Sequence, residues 1–347
     1  MQSNPFSMTF GIEPNNYIKR IKESELIISE FTALNPSNYV YIITGIRGSG
    51  KTVLLSNIAN HFMNNDDFLV VDPGPKNNIL ENIASEIYET GKVKKLFLKK
   101  DFSFSFHGLS FSISGDEPVS SINTIIKKML DYLKKKKKRV LITIDEVDNS
   151  AEMKTFIEAY QTLIRLKYPV FLLMTGLYEN INKLQDDKSL TFLYRAPKIN
   201  IEPLNIKSIE IAYKKYLNID SVVANKMANL TKGYAYAYQV LGYLAFTSKK
   251  KDIDEELIND YDQYLAAYVY DKIYSELSNK EKELLNCFEH NQEISLKELA
   301  IKMNEDSKYI SVYRDRLIKK GVLMSKTYGM IEFALPRFYD FLKSINY

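Results

Sequence analysis

The sequence is poor in the residues that build disulfide frameworks and metal clusters. Its 347 residues include one cysteine, Cys287, and three widely separated histidines, His61, His107 and His290. A single cysteine excludes an internal disulfide and fits a reducing compartment. We interpret Cys287 as a small core residue of a helix. The scattered histidines do not indicate a metal cluster.

Long apolar runs and a large excess of one charge are also missing. No segment approaches 18 consecutive apolar residues, and the opening MQSNPFSMTF lacks the charged stretch of a secretory signal. We therefore expect a cytoplasmic protein without a membrane partner. The formal net charge is only +4, so any surface that binds nucleic acid has to be local. The length allows two or three globular domains.

The stretch YIITGIRGSGKTVLL, residues 41–55, contains the pattern G-x-x-x-x-G-K-[ST]. Glycines let a loop adopt positive φ and bring backbone N–H groups onto a phosphate, and the following helix directs its positive end at the same anion. An apolar strand before the pattern and an amphipathic helix after it are the context that a phosphate loop needs. The predicted nucleotide ligands in this stretch are Gly45, Arg47, Gly48, Ser49, Gly50, Lys51, Thr52 and Val53.

A second pattern supports the same chemistry. The segment RVLITIDEVDN, residues 139–149, is an apolar strand that ends in two carboxylates, Asp145 and Glu146. In P-loop enzymes such an acid holds Mg²⁺ together with the loop hydroxyl, here Thr52. Glu146 is then placed to act as general base on the attacking water, while Lys51 reaches the β- and γ-phosphates. Together the two motifs predict binding and hydrolysis of ATP with Mg²⁺.

Further strand patterns alternate with helical ones, which predicts a parallel sheet with its ligand at the carboxyl ends of the strands. The segment DFLVVDPG (67–74) is followed by a helical pattern, and YPVFLLMTG (168–176) is another buried strand. Thr175 lies at the tip of that last strand. It either senses the γ-phosphate and belongs to the nucleotide ligands, or has no special role.

These motifs resemble the AAA+ branch of the P-loop ATPases. More narrowly, the chain is similar to bacterial and archaeal ATPases related to origin-recognition proteins and to the signal-transducing STAND ATPases. The resemblance covers nearly the whole length. It is carried by NPFSMTFG, GIRGSGKT, LITIDEVDN, FLLMTGLYENI, LTFLYRAPKINIEPL, LTKGYAYAYQVLGYLAF and GMIEFALPRF. It implies an α/β fold with an AAA+ core over residues 1–200, a helical lid over 201–274 and a winged-helix domain over 275–347.

The resemblance also implies roles for two arginines. Arg195 occupies the place where related ATPases carry an arginine finger, which completes the active site of a neighbour in a homo-oligomer. The alternative is a local ion pair with Glu202. Arg47 either binds the nucleotide or contacts a neighbouring subunit or the lid. Related initiators carry a sensor arginine shortly after the lid glycine, but none follows Gly233 through Gln239. We therefore expect a slow ATPase that acts as a nucleotide-dependent switch.

Two segments interrupt the alternation of strands and helices. The segment FLKKDFSFSFHGLSFSISGDEP, residues 97–118, has the pattern of a β-hairpin inserted into the core. It either contacts a partner or packs flat on its own domain.

The basic run 134–139 follows a predicted helix, and we interpret it as a solvated helix end rather than a phosphate site.

The last segment has the pattern of three short helices, the first with Ser278 as its N-cap, followed by two strands. Three helices and a hairpin form a winged helix, whose third helix enters the major groove in DNA-binding versions. Basic residues are concentrated on that third helix and on the wing. The predicted contacts to double-stranded DNA are Lys308, Ser311, Arg314, Arg316, Lys319 and Lys320.

Two functions remain open at this point. The first is an ATP-controlled DNA-binding protein, supported by the complete nucleotide motifs and the basic third helix. The second is a switch that acts on a protein partner without nucleic acid. The near-neutral net charge and the missing sensor arginine motivate this second function. The winged helices of STAND ATPases also often serve as protein-contact modules. DNA binding is the function that we expect first, with the protein switch as the alternative.

Overall fold

The computed structural model describes residues 3–9, 16–74, 77–90, 103–106, 109–112, 121–289, 293–325 and 329–345. The chain divides into two compact units. The sheet unit comprises Arg20–Thr44 and Lys51–Asn200, and the helical unit comprises Met1–Lys19, Gly45–Gly50 and Ile201–Tyr347. The loop of the first motif therefore makes its contacts within the helical unit. The division into three domains that the sequence suggests stays a prediction.

The sheet unit is built on five parallel strands in the order β2-β5-β6-β1-β7. Its strands, together with a separate hairpin, are β1 (Val40–Thr44), β2 (Phe68–Val71), β3 (Ser103–Phe106), β4 (Leu109–Ser112), β5 (Arg139–Ile144), β6 (Val170–Gly176) and β7 (Lys198–Asn200). Every residue of β1 and β6 is buried, because a parallel sheet is covered on both faces. This explains why both strands appear in the sequence as unbroken apolar runs, and it confirms the predicted parallel sheet.

Helices surround this sheet. They are α1 (Ile21–Thr32), α2 (Lys51–Met63), α3 (Ile79–Glu89), α4 (Ile122–Lys135), α5 (Ala151–Arg165), α6 (Tyr178–Gln185) and a 3-10 helix (Lys188–Arg195). In α2, Leu54, Ile58 and Phe62 are fully buried, and their spacing of four residues places them on one face. This confirms the amphipathic pattern that follows the phosphate motif.

The register of the sheet brings the carboxyl ends of its central strands together. Thr44 of β1 pairs with Gly176 of β6, and Ile144 of β5 pairs with Met174 of β6. Residues that end β6 or follow β5 are therefore neighbours. Strand β1 has β6 on one side and β7 on the other, which makes the carboxyl end of β1 the point where the chain connections diverge and ligands bind in such sheets.

Two short strands lie within residues 97–118, the segment predicted as an inserted hairpin. Strands β3 and β4 pair antiparallel, with Phe104 opposite Phe111 and Phe106 opposite Leu109. Phe102, Ile113 and the turn His107-Gly108 lie outside the described residues. Whether the hairpin contacts a partner stays a prediction.

The helical unit contains the segment predicted as a lid. Its helices are α7 (Ile206–Leu217), α8 (Ser221–Leu230), α9 (Ala235–Ser248), α10 (Glu255–Leu265), a π-helical turn (Ala266–Tyr270) and α11 (Asp271–Ser275). Tyr234, Tyr236 and Tyr238 are buried in the core of this unit and Tyr243 packs against it. These tyrosines therefore contribute to packing rather than to an exposed stacking surface.

The C-terminal module, residues 276–345, belongs to the same unit. Its elements are α12 (Asn279–Asn286), β8 (Ile294–Ser295), α13 (Leu296–Met303), α14 (Ser307–Lys319), β9 (Leu323–Ser325), β10 (Met330–Phe333) and α15 (Phe338–Ile345). The strands form an antiparallel sheet in the order β8-β10-β9. Ser278 caps α12 as predicted, in a capping box with Glu281. Strand β8 and helix α15 were not predicted.

No helix within the described ranges is long and apolar enough to cross a lipid bilayer. Cys287 is a half-buried free thiol at the end of α12, packed against the core of the helical unit, which agrees with its interpretation as a core residue.

Candidate functional site

Helix α2 begins with the lysine and the threonine of the first motif. Lys51 is its first residue, and only 8% of the side chain is exposed. The hydroxyl of Thr52 donates a hydrogen bond to Oδ2 of Asp145 at 2.7 Å. Asp145 directly follows β5, so the structure brings together the two residues that the sequence suggests as metal ligands.

Thr175 binds the same carboxylate. Its hydroxyl donates to Oδ1 of Asp145 and accepts the backbone N–H of Glu146 at 3.0 Å. The carbonyl of Thr175 accepts the N–H of Val147 at 2.8 Å. Thr175 is fully buried, so these bonds hold the acidic turn in a single position at the end of β6. The two oxygens of Asp145 each accept one threonine hydroxyl, which fixes the orientation of the carboxylate.

Glu146 has a backbone conformation that few residues other than glycine adopt. Its φ is +55°, in the left-handed region, which costs a non-glycine residue about 1–2 kcal/mol. The hydrogen bonds from Glu146 and Val147 to Thr175 offset this cost. Glu146 is exposed in this turn, which is compatible with its predicted role as general base.

The residues present fit a magnesium ion. Mg²⁺ prefers oxygen ligands and is usually held by one or two carboxylates together with phosphate oxygens and water. Asp145 and Thr52 supply a carboxylate and a hydroxyl in contact. The described residues contain no group of three His, Cys, Asp or Glu side chains that would hold a metal without such a substrate.

Sequence reasoning missed a second carboxylate near Asp145. Asp72 follows β2, which pairs with β5. Desolvation raises the pKa of Asp72; a hydrogen bond from the Gly74 backbone opposes the shift, and the charge of Asp145 adds to it. The backbone N–H of Asp72 donates to Oε2 of Glu86 at 2.8 Å. The sequence signal for this residue was the acid that follows the apolar run in DFLVVDPG, because that run forms the strand beside β5.

The phosphate loop, Gly45–Gly50, belongs to the helical unit. Gly48 and Gly50 have φ of +71° and +94°, as the motif requires. The hydroxyl of Tyr234 donates to the carbonyl of Arg47 at 2.5 Å, and the N–H of Tyr236 donates to the carbonyl of Gly48 at 3.0 Å. Burial raises the pKa of Tyr234 well above its ordinary value, so this hydroxyl stays protonated and donates.

The residues 233–236, in the segment predicted as a lid and called the lid turn below, approach Gly48 so closely that a side chain has no room there. A Cβ on Gly48 would lie 2.3 Å from the hydroxyl oxygen of Tyr234. Gly48 is therefore needed both for its positive φ and for this approach. Neither tyrosine was among the predicted site residues, because their contact with the loop depends on the tertiary structure.

The side chain of Arg47 contacts a more distant residue of the same unit, Glu276. Its Nη2 and Nε lie 2.9 and 3.2 Å from Oε1 of Glu276. Of the alternatives for this arginine, the structure shows an ion pair at the start of the C-terminal module. Contact of Arg47 with a nucleotide stays a prediction.

Arg195 ends the 3-10 helix of the sheet unit and is exposed. Among the described residues of that unit it has no ion-pair partner. Tyr194 beside it is 73% exposed. The arginine finger stays a prediction, and the exposure of Arg195 is compatible with it.

The basic residues of α14 differ in their availability. Lys308, Arg316 and Lys319 are exposed, and the guanidinium of Arg316 lies 5.4 Å from the ring centroid of Tyr313. These three cations form the exposed basic face of α14.

The other predicted DNA contacts are less exposed. Arg314 pairs with Asp315 at 2.7 Å, and the hydroxyl of Ser311 donates to the carbonyl of Lys308 at 3.0 Å. Lys320 lies in the interior of the module, where its Nζ is 2.8 Å from Oε2 of Glu281. The Lys320 and Glu281 side chains are only 14% and 2% exposed. The predicted DNA contact of Lys320 is therefore not supported, because its ammonium group forms an ion pair with a buried carboxylate.

We expect replacement of Lys320 with methionine to destabilise the C-terminal module by about 3 kcal/mol, the lower end of the range for removing one partner of a buried ion pair. Glu281 would remain buried without its cationic partner, while Ser278 still donates hydrogen bonds to its carboxylate. Urea titration followed by hydrogen exchange in residues 279–345 measures the loss. Lys280→Met is the matched control, because its partner Glu283 is 54% exposed and such pairs contribute less than about 1 kcal/mol.

The same ion pair makes the module sensitive to acid. Burial alone would raise the pKa of Glu281, but hydrogen bonds from Lys320 and Ser278 outweigh it, so the pKa is lowered from 4.5. The stabilisation is therefore complete above the unfolded value of 4.5 and is lost as the pH falls through the lower folded pKa. Lys320→Met should remove this contribution. An unchanged acid transition would contradict the assignment.

Comparisons with known proteins agree with this geometry. A family model described as an ATPase domain predominantly from Archaea matches residues 23–241, and a model of a domain of unknown function matches residues 267–342. The first match covers well over half of the chain and includes Lys51, Asp145 and Thr175. Comparison with curated protein sequences finds no match.

Solved structures share the fold at low sequence identity. The ORC2 protein of Aeropyrum pernix, in its ADPNP-ADP complexes, is 14% identical with a TM-score of 0.59 and covers 98% of each chain. Cdc6p of Pyrobaculum aerophilum is 15% identical with a TM-score of 0.51, covering 97% of this chain and 96% of its own. These likenesses extend over the whole chain and confirm the fold predicted from the motifs. With the phosphate motif, the acidic strand end and the family match in agreement, this chain belongs to the family of ATPase domains found predominantly in Archaea.

Proposed function

We propose that this protein binds ATP with Mg²⁺, hydrolyses it slowly, and uses the state of the nucleotide to control DNA binding by its C-terminal module. The observation that carries the first part is the Asp145 carboxylate held between the hydroxyls of Thr52 and Thr175. In this proposal the module is a winged helix with α14 as its recognition helix.

Each residue of the nucleotide site has a separate task. The loop 45–50 binds the phosphates through backbone N–H groups, and Lys51 adds a positive charge toward the β- and γ-phosphates. Thr52 and Asp145 hold Mg²⁺, which neutralises charge on the phosphate oxygens. Glu146 accepts a proton from the attacking water at its carboxylate. Thr175 keeps Asp145 and Glu146 in register and senses the γ-phosphate.

Two observations support a switch rather than a fast enzyme. The residues from Gly233 to Gln239 include no arginine, so the lid turn has no sensor cation for the transition state. This turn instead places Tyr234 and Tyr236 on the phosphate loop. The similarly folded ORC2 protein of Aeropyrum pernix was solved with ADPNP and ADP, which supports nucleotide binding by this fold.

The DNA-binding part rests on the exposed basic face of α14. Lysine and arginine side chains there would contact backbone phosphates, and such contacts make the affinity strongly dependent on salt. Tyr309 and Tyr313 lie on the same helix with ring centroids 5.1 Å apart and hydroxyls 3.1 Å apart. They add hydrogen-bonding groups beside the cations.

We expect the variant Arg316→Gln, Lys319→Gln to bind double-stranded DNA about ten-fold or more weakly, and to lower the slope of log K against log salt by about 2. Fluorescence anisotropy at two salt concentrations, with ATP and with ADP, measures both quantities. Lys280→Gln, on α12 of the same module, is the matched control for loss of a positive charge. Equal binding by wild type and the double variant would contradict the proposed surface.

A protein partner is the alternative for the module. It is supported by apolar side chains on its surface: Ile301 is 70% exposed, Val312 46% and Tyr309 39%. The same anisotropy experiment separates the two. Absence of DNA binding at low salt, with either nucleotide, would favour a protein partner on this face.

A further inference from the structure

The phosphate loop is tied to residues that lie about 190 to 230 positions further along the chain. Tyr234 and Tyr236 of the lid turn bind the carbonyls of Arg47 and Gly48, and Glu276 binds the Arg47 side chain. All of these residues belong to the helical unit. The loop therefore contacts both the lid turn and the start of the C-terminal module.

Glu276 is placed where a change at the loop would reach the C-terminal module. It directly follows α11, and two residues later Ser278 caps α12, the first helix of the module. Gly321, just before β9, also lies close to Ile46 of the loop. A Cβ built on Gly321 would lie 3.3 Å from Cβ of Ile46. The loop is thus in contact with both ends of the segment that contains α12, α13 and α14.

The Arg47–Glu276 ion pair is suited to breaking and reforming. Both side chains are about one-third exposed, at 31% and 33%, and partly exposed ion pairs are weak. Lys272 lies one turn earlier, with its Nζ 3.8 Å from the same Oε1 of Glu276. If Arg47 leaves, the Glu276 carboxylate keeps a cationic neighbour. Neither charge is then left alone in an apolar environment.

A phosphate is the natural competitor for this guanidinium. Arginine binds carboxylates and phosphates through the same planar fork of donors. Arg47 lies within the loop whose backbone is expected to cradle the phosphates. A triphosphate carries more negative charge than a diphosphate and competes more strongly with the single charge of Glu276.

We propose that Arg47 and Glu276 form a latch between the phosphate loop and the C-terminal module, which a triphosphate opens and a diphosphate leaves closed. ATP draws the Arg47 guanidinium from Glu276 to its phosphates and frees the segment between α11 and α12. The latch rests on the proposed function in one respect, namely that the loop binds nucleotide. Tyr234 acts as a positioning residue that holds the loop backbone while the side chain moves.

The test is the affinity of Glu276→Gln for nucleotide. We expect its Kd for a non-hydrolysable ATP analogue with Mg²⁺ to fall about five-fold, at the lower end of common coupling factors, because the triphosphate no longer has to displace Arg47 from a charged partner. The Kd for ADP should stay close to that of wild type. Glu283→Gln is the matched control, since Glu283 forms a surface ion pair with Lys280 in the same module.

A double-mutant cycle tests whether the effect passes through Arg47. In an Arg47→Gln background, Glu276→Gln should leave the Kd for the ATP analogue unchanged. Hydrogen exchange gives an independent readout. The analogue should increase exchange in residues 271–286 of wild type, whereas Glu276→Gln should show the faster exchange without nucleotide. Thermal melting of each variant verifies that it is folded.

The outcomes separate the latch from the proposed function. If wild type binds the analogue but Glu276→Gln does not change its Kd, or lowers the Kd for ATP analogue and ADP equally, the latch is overturned and nucleotide binding stands. Persistence of the effect in the Arg47→Gln background also overturns it. If wild type binds no nucleotide, the proposed function and the latch are both wrong.

Discussion

Replacing Glu146 with glutamine is expected to lower kcat for ATP hydrolysis about 10²- to 10⁴-fold, the usual contribution of a positioned general base. The Kd for ATP should change little, because the phosphates are bound by the loop, Lys51 and the magnesium ligands. Glutamine keeps the size of the side chain and the backbone N–H that donates to Thr175. It removes the negative charge and with it the ability to accept a proton from water.

Single-turnover hydrolysis and equilibrium binding of ATP measure the two effects separately. Glu158→Gln is the matched control, since Glu158 is an exposed carboxylate on α5 of the same unit. Wild-type kcat in Glu146→Gln would show that the base lies elsewhere. Asp72 would then be the next carboxylate to replace, because its pKa already responds to the charge of Asp145.

The second large effect is expected at Arg195. If this arginine stabilises transition-state charge in a neighbouring subunit, Arg195→Ala should lower kcat about 10³-fold under conditions where the protein assembles. Its exposure at the end of the 3-10 helix, beside the exposed Tyr194, leaves the guanidinium available to another copy. Arg165→Ala is the control, because Arg165 is an exposed arginine at the end of α5.

Mixing of subunits distinguishes action across an interface from action within one chain. Arg195→Ala keeps its own nucleotide site, and Lys51→Ala keeps the arginine. An equimolar mixture of the two inactive variants should regain ATPase activity, because a Lys51→Ala subunit supplies Arg195 to its neighbour. Activity of Arg195→Ala equal to wild type would refute the finger. Loss of activity without recovery on mixing would place its action within one chain.

Much of the nucleotide site could be predicted because its motifs are local. A strand, a glycine loop and a helix that follow one another are encoded by adjacent residues, and the period of apolar residues distinguishes strand from helix. The phosphate loop, the acidic end of β5 and Thr175 at the end of β6 were found in this way. So were the helices between residues 201 and 274 and the capping box at Ser278, since backbone propensity and capping act over a few residues.

Short elements escaped prediction for a related reason. Strand β8 has two residues, too few to show any alternation. Its existence depends on pairing with β10, which only the assembled module provides. Asp72 escaped because its relevance comes from the pairing of β2 with β5, and strand order is not encoded in the strands themselves.

The sequence by itself determined that this protein has the motifs of an ATPase domain, followed by a small C-terminal module whose basic residues are concentrated on its third helix. Only the tertiary structure decided which side chains meet. Asp145 binds Thr52 from 93 residues away and Thr175 from 30 residues away, Arg47 pairs with Glu276 across 229 residues, and Lys320 is committed to Glu281. Sequence patterns report local propensity and period, whereas contacts over such separations depend on how the elements pack. The packing of the module leaves Arg316 and Lys319 exposed and buries the ion pair of Lys320. Packing also brings the Arg47 side chain into contact with Glu276, at the start of the C-terminal module.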